Sequence, residues 1–394
     1  MQKRANDENE KPTRRVRGEG SVFQRPDGRW VASIPLKNNK RRVEYYDDRK
    51  QAERARRRML RELEEGRMVT GRDQLLATYL DHWLGIQKEV LKKGTYSMYH
   101  RYLTNRIISS LGHVKLQDLT GDMFQLLYSK WLKEKMSPNM IRLIHNIVKK
   151  ALDDAVRLRK LLMNPVRDAE PPRAKEKEMQ ILDAAQARKL LDAAKGTPLD
   201  CLLHVALLGL RRGELLGLQW HDIDFERREL KIGRSLSYIQ DPDTGHHEFV
   251  LDTPKTTSSR RALTLPQFVI NALSAHRKLQ QKKQSHAHEW DNLDLVFCNE
   301  RGGYLHPNNL ADDFDRLLKS ANLPDIRFHD LRHSAATIWI ALGVNPKVIQ
   351  ELLGHSDISV TLGIYSHALP TMHKQAMDHL DELFGESQEK DNQV

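Results

Sequence analysis

Apolar residues recur along this chain with two different periods. From Val22 to Tyr46 the period is two: Trp30, Ala32 and Ile34 alternate with Val31, Ser33 and Pro35. Val22 and Phe23 precede a Pro26-Asp27-Gly28 turn, Asn38-Asn39 marks a second turn, and Val43 and Tyr45 share one face of a third run. That pattern predicts a three-stranded antiparallel meander. Asp47 and Asp48 can cap a following helix that runs to about Glu65, with Gly66 as its stop. Beyond residue 73 the period changes to that of a helix. Leu76, Tyr79, Leu80 and Trp83 recur at i, i+3, i+4 and i+7. A second helix from about Lys93 carries Tyr96, Tyr99, Leu103, Ile107 and Ile108, and a third covers about Gly121 to Lys133. A fourth runs from Ser137-Pro138 to Leu161, with Ile141, Ile144, Ile147, Val148 and Leu152 on one face. Ser137 and Pro138 suit the N-cap and first helical positions.

The stretch 165–180 interrupts the helical pattern with Pro165, Pro171 and Pro172 and dense charge, the composition of a linker. Residues 181–385 then read as mostly helical, with a strand-rich island at about 228–265. The expected fold class is therefore mainly α with a small β content. Its parts are a tail over 1–17, too charged to fold alone, a sheet plus helix over 18–66, a four-helix unit over 73–165, the linker 166–180, a mixed, mostly α domain over 181–385, and a tail over 386–394.

Composition narrows the class. In 394 residues, two cysteines, Cys201 and Cys298, cannot build a disulfide framework, and no CxxC pair offers a zinc site. No apolar run reaches the roughly 18–20 residues of a membrane span, and MQKRANDENEKP lacks the apolar core of a secretory signal. The expectation is a cytoplasmic protein with no membrane contact. The formal charge of +11 is unevenly placed. Residues 1–72 hold 21 Lys and Arg against 12 Asp and Glu, residues 73–170 hold 16 against 10, and residues 171–394 hold 27 against 31. Two adjacent positive segments point to a polyanion, and nucleic acid fits best. A small sheet carrying Arg25, Arg29, Lys37, Lys40, Arg41 and Arg42 can enter a major groove.

Four segments of the third domain carry chemistry. In Gly209-Leu210-Arg211-Arg212-Gly213-Glu214, Gly209 can end one helix and Glu214 can open the next, which presents Arg211 from a tight turn. Thr253-Pro254-Lys255-Thr256 lies between two strand-like runs, so Lys255 is expected at a hairpin tip, with Arg260 and Arg261 as rivals for the basic position. In Phe328-His329-Asp330-Leu331-Arg332-His333, His329 and Arg332 lie three apart at a helix start and share a face. His333, next to Arg332, points elsewhere and reads as structural. Leu353-Gly354-His355-Ser356 is followed ten residues after His355 by Tyr365. Two guanidiniums can hold the non-bridging oxygens of a phosphate and stabilise a pentacoordinate transition state. A tyrosine hydroxyl can attack phosphorus. A lysine can protonate a departing sugar oxygen while a histidine manages the nucleophile's proton. The set lacks a phosphate-binding GxxxxGK[ST] loop and any carboxylate or histidine cluster, so neither a metal nor another cofactor is expected.

In this order the segments resemble the tyrosine recombinases of the phage and integrative-element integrase class. GLRRGELLGL resembles the family's first arginine box. HDLRHSAAT, LGHS and the tyrosine ten residues beyond that histidine resemble its second. The resemblance implies an arm-type DNA-binding sheet, a SAM-like core-binding domain and a catalytic domain, the last two closing on double-stranded DNA as a C-shaped clamp. It implies that Arg211 and Arg332 clamp the scissile phosphate, selecting Arg211 over its neighbour Arg212. Lys255 would act as general acid, His329 would assist proton transfer, and His355 would hydrogen-bond the phosphate. Tyr365 would be the nucleophile and Glu214 would orient the arginine. Strands would be exchanged between attachment sites through a 3′-phosphotyrosyl link and a Holliday junction. The apolar stripe of Met372, Ala376, Leu380, Leu383 and Phe384 in a helix over 370–384 would dock on a neighbouring protomer and close a tetramer on DNA. An excision factor or a host DNA-bending protein would be a further partner. A type IB topoisomerase and a non-catalytic repressor are the alternatives left open.

Overall fold

The computed structural model describes residues 19–35, 41–64, 74–174, 180–252 and 261–355, with isolated positions as far as 384. The chain divides between Lys175 and Glu176 into two compact units.

The first unit holds two separate cores. Strands β1 (Ser21–Gln24), β2 (Trp30–Pro35) and β3 (Arg41–Tyr46) form the antiparallel meander in that order, with Phe23 opposite Val31 and Val31 opposite Tyr45. Helix α1 (Arg49–Glu64) is capped by Asp48, whose Oδ2 accepts from the Gln51 amide at 3.2 Å. Ala52, Ala55 and Met59 of α1 pack on Ala32 and Ile34. Because side chains alternate across a strand, this choice of face settles the rest of β3. Arg42, Glu44 and Tyr46 turn toward the helix, while Arg41, Val43 and Tyr45 face outward. The turn at Asn38-Asn39 and the stop at Gly66 lie outside the described residues.

The second core belongs to a helical bundle. It comprises α2 (Leu76–Val90), α3 (Lys93–Tyr102), which runs through a π-helical turn at Leu103–Ile108 into α4 (Ser109–Leu111), then α5 (Gly121–Lys133) and α6 (Pro138–Arg157). All four residues of the first predicted stripe, Leu76, Tyr79, Leu80 and Trp83, are buried. Ser137 caps α6 as expected, its hydroxyl accepting from the Met140 amide at 3.3 Å. Helix α6 stops four residues before the predicted Leu161. Arg159 takes a left-handed φ of 56°, and the amides of Arg159 and Lys160 bond back to Val156 and Ala155. This is a Schellman termination built without the usual glycine. The bundle also extends into the predicted linker. Asn164 donates to the Lys149 carbonyl at 2.9 Å, and Pro165 and Val166 are buried in a short 3₁₀ turn.

The second unit has one large core and a small one beside it. Its helices are α7 (Ala184–Ala194), α8 (Asp200–Ala206), α9 (Arg212–Leu216), α10 (Gln267–His286), α11 (Pro307–Ser320), α12 (Asp330–Ala341) and α13 (Pro346–Leu353). Strands β4 (Ile223–Asp224), β5 (Glu229–Ile232) and β8 (Arg261–Thr264) form one sheet, and among the described residues β6 (Ser235–Gln240) pairs with β7 (His247–Asp252) alone. This corrects the predicted hairpin around Lys255. Strand β7 belongs to one sheet and β8 to the other, so residues 253–260, outside the described residues, connect two sheets. None of the described helices is long and apolar enough to cross a membrane.

Candidate active site

The site is built where three helix ends meet. Helix α8 gives way to a turn that closes at Gly209, whose φ of 77° reverses the chain. A Cβ there would fall 2.5 Å from Leu353 Cδ2, so the turn both needs a left-handed residue and admits no side chain. Arg211 follows as the N-cap residue of α9, with its backbone amide donating to Glu214 Oε2 at 3.0 Å. Helix α12 begins at Asp330, whose carboxylate accepts from the Arg327 amide at 3.0 Å and from its guanidinium at 2.8 Å. This fixes His329 at the N-cap and Arg332 one turn inward. Helix α13 ends at Gly354, left-handed at φ 65°.

The last carbonyls of α13 are groups a helix leaves without an internal partner. Here three arginines from three elements bond to them. Arg261 Nε of β8 donates to Leu352 O at 2.6 Å, Arg332 Nη2 of α12 donates to Leu353 O at 2.6 Å, and Arg211 Nη2 donates to Gly354 O at 2.8 Å. Cations at a helix C-terminus also oppose the macrodipole favourably. Arg332 reaches Gly209 O at 2.6 Å with its other terminal nitrogen, joining the turn after α8 to the end of α13.

One carboxylate sits among these guanidiniums. Glu214 is buried at 3% exposure, with Oε1 2.7 Å from Arg211 Nη1 and Oε2 3.1 Å from Arg261 Nη2. Burial alone would raise its carboxyl, but Arg261 and Arg211 more than offset this and hold it below its ordinary value. Three arginines against one carboxylate leave the cluster cationic. Desolvation, reinforced by Arg211, pulls Arg332 down to about 9, so it stays charged at neutral pH. Desolvation and the charges of Arg332 and Arg211 push His355 down to about 4, so its imidazole is neutral there. Arg211 remains 36% exposed at the edge of the cluster. A cationic, half-open pocket edge of this kind can accept one anionic group.

The structure thus brings together Arg211, Glu214, Arg332 and His355, and places His329 at the start of the same helix as Arg332. Lys255 and Tyr365 lie outside the described residues. His333 lies four residues after His329 on the same helical face, with the two rings edge-on at 5.7 Å. Arg261, in sequence only a rival to Lys255 for the basic position, is an integral part of the cluster. The signal that could have found it is parity: Arg261 shares its strand face with the core residue Leu263.

In the N-terminal sheet, Arg25 and Arg29 lie over the outward Tyr45 ring at 5.7 and 5.5 Å, and Phe23 is 47% exposed beside them. Arg42 is a correction to the predicted basic face. It turns toward α1 and bonds Glu44 at 2.9 Å with its side chain 10% exposed. Lys37 and Lys40 lie outside the described residues, and Arg41 faces outward. Among the described residues no group of three His, Cys, Asp or Glu side chains could hold a metal ion.

Comparison with known proteins gives a consistent picture. Residues 180–372 match the Phage integrase family, and residues 75–136 match the phage integrase N-terminal SAM-like domain. A tyrosine recombinase XerC-like protein of Caldanaerobacter subterraneus subsp. tengcongensis is 31% identical over 360 residues, covering 87% of this chain and 92% of its own. The ICEBs1 integrase of Bacillus subtilis is 27% identical over 85% of this chain and 90% of its own. The fold resembles that of the Tn1549 transposon integrase, solved in complex with transposon right end DNA. The TM-score is 0.65 at 21% identity, over 78% of this chain and 99% of that one.

Proposed function

The chain belongs to the phage integrase family of tyrosine recombinases, the integrases of mobile elements, and from that premise we propose that its arginine cluster holds the scissile phosphate of a DNA attachment site. The observation that carries this reading is the convergence of Arg211 and Arg332, with neutral His355, on the single turn that ends α13. Among the described residues Arg332 uses two of a guanidinium's five donors on carbonyls, and the rest serve a non-bridging oxygen together with Arg211. His355 donates a further hydrogen bond. These groups are fixed before the phosphate arrives, so no reorganisation opposes charge build-up in the pentacoordinate transition state.

Tyr365 attacks phosphorus through its hydroxyl oxygen, and the bond to the 5′ oxygen breaks. His329 assists removal of the tyrosine proton, and Lys255 gives a proton to the departing oxygen. A 3′-phosphotyrosyl bond results, and attack by the 5′ hydroxyl of a second duplex reverses the step and joins the strands. The guanidiniums supply the positive charge that a divalent ion would bring, and the phosphotyrosine keeps the bond energy. The reaction therefore proceeds without metal or ATP.

Residues 74–174 and the second unit hold core-type sites. The outward face of the N-terminal sheet, with Arg25, Arg29 and Arg41 around Phe23 and Tyr45, binds separate arm-type sites. Strand exchange passes through a Holliday junction held by a tetramer. Of the apolar stripe, Leu380 and Phe384 are exposed, which supports docking of that segment on a neighbouring protomer; Met372, Ala376 and Leu383 lie outside the described residues. The test is an exchange assay with two differently labelled duplexes carrying the two attachment sites. Recombinant strands are expected, whereas relaxation of a supercoiled plasmid without exchange would contradict the reading.

A further inference from the structure

Three guanidiniums reach the end of α13, and the phosphate clamp uses two of them. The third, Arg261, has a side chain only 7% exposed and bonds protein groups through all three of its nitrogens. Its Nε donates to Leu352 O at 2.6 Å, its Nη2 to Glu214 Oε2 at 3.1 Å and its Nη1 to Glu214 Oε1 at 3.3 Å. It therefore ties β8 to both α9 and α13. We propose that Arg261 is a positioning residue for strand cleavage: by engaging Glu214 and the α13 carbonyl at once, it fixes where Arg211 can present its guanidinium to the phosphate.

Arg211 and Arg261 compete for a single carboxylate. Glu214 Oε1 bonds Arg211 Nη1 at 2.7 Å, and an ion pair at low exposure is strong enough to hold an arginine away from a ligand. Arg261 takes a share of both carboxylate oxygens, so Arg211 is oriented by Glu214 without being neutralised by it alone. The second contact acts through the backbone. Arg211 Nη2 rests on Gly354 O, and Arg261 anchors the same turn two residues earlier. Losing Arg261 would let Arg211 fold onto Glu214 and let the turn carrying His355 drift. A lysine cannot replace it fully, because a single ammonium lacks the planar fork that spans both partners.

This inference rests on the phosphate-clamp reading, and the experiment separates the two. The full chain is given a nicked duplex carrying the core site, and single-turnover formation of the covalent adduct is followed at saturating DNA. The dissociation constant of the same duplex is measured in parallel. Arg261→Gln should slow cleavage by on the order of 100-fold, the scale of losing one preorganised donor, with binding changed less than about threefold. Arg211→Ala should slow it as well, and the double variant should be little slower than Arg211→Ala alone, since the two residues act as one unit. Wild-type cleavage by Arg261→Gln would overturn the inference. So would an equal further slowing in the Arg211→Ala background, or a loss that tracks weakened binding. Should Arg261→Gln fail to fold, Arg261→Lys keeps the cation beside Glu214 and answers the same comparison. If Arg211→Ala cleaves normally, the clamp itself fails. If only the Arg261 variants cleave normally, the clamp stands and the positioning role falls.

Discussion

His355 shows how the cluster sets the properties of a single side chain. Desolvation and the neighbouring guanidiniums push its imidazole down to about 4, so at neutral pH it offers a hydrogen bond without adding charge. Its folded value lies below the ordinary 6.5. Its contribution to stability is therefore complete above about 6.5 and is lost as pH falls toward 4. NMR titration of the free protein should find a His355 midpoint near 4, moving upward when a core duplex places a phosphate beside it. A midpoint of 6 or above in the free protein would show that the arginines do not face it. At this scale much of the site is legible in the sequence. Arg211, Arg332 and His355 stand out because they sit in short motifs that resemble the arginine boxes of the family. Arg261 does not, because its meaning depends on a buried glutamate 47 residues away and its neighbour Arg260 looks equivalent in one dimension.

At the scale of elements, the site depends on helix ends that must fit closely. Gly209→Ala would demand a left-handed alanine and would drive a methyl to 2.5 Å from Leu353 and 3.3 Å from Trp339. We expect a loss of about 2 kcal/mol or more in unfolding free energy of the second unit, together with slowed cleavage, as read by denaturant titration and single-turnover kinetics. The bundle carries its own pH dependence. His145 is buried, its Nδ1 3.0 Å from Tyr128 Oη, and desolvation, helped by Lys149 and Arg142, lowers its pKa from 6.5. Protonation must then accompany unfolding, so helices α2 to α6 should lose stability as pH falls below about 6.5. Hydrogen exchange in those helices should show that slope, and His145→Gln should flatten it; an unchanged slope would exclude His145 as its source. The bundle helices could be read from periodicity because their stripes are long and one-sided. Two features could not. The face of β3 is set by which side α1 covers, and the pairing of β8 with β5 across the β6–β7 ribbon is a non-local choice that alternation alone does not encode.

For the whole molecule, charge and chemistry lie in different places. The N-terminal two-fifths carries the cationic excess, and the second unit, net acidic in sequence, concentrates its few decisive cations on one helix end. Affinity for DNA should therefore depend steeply on salt through the first unit, while cleavage depends on geometry in the second. Assembly is a third property. Removing residues 370–394 should leave binding of a single core duplex intact and abolish tetramer formation on a four-way junction, as followed by analytical ultracentrifugation. Tetramers that persist after the deletion would reject the docking role given to the segment that carries the exposed Leu380 and Phe384. The central claim is that this chain cuts DNA by covalent attachment through Tyr365. Its most direct test is a nicked suicide duplex carrying the core site, incubated with the full chain and resolved under denaturing conditions. A protein–DNA adduct that disappears in Tyr365→Phe is the predicted result. An adduct that survives the substitution, or the absence of one with the unaltered chain, would contradict it.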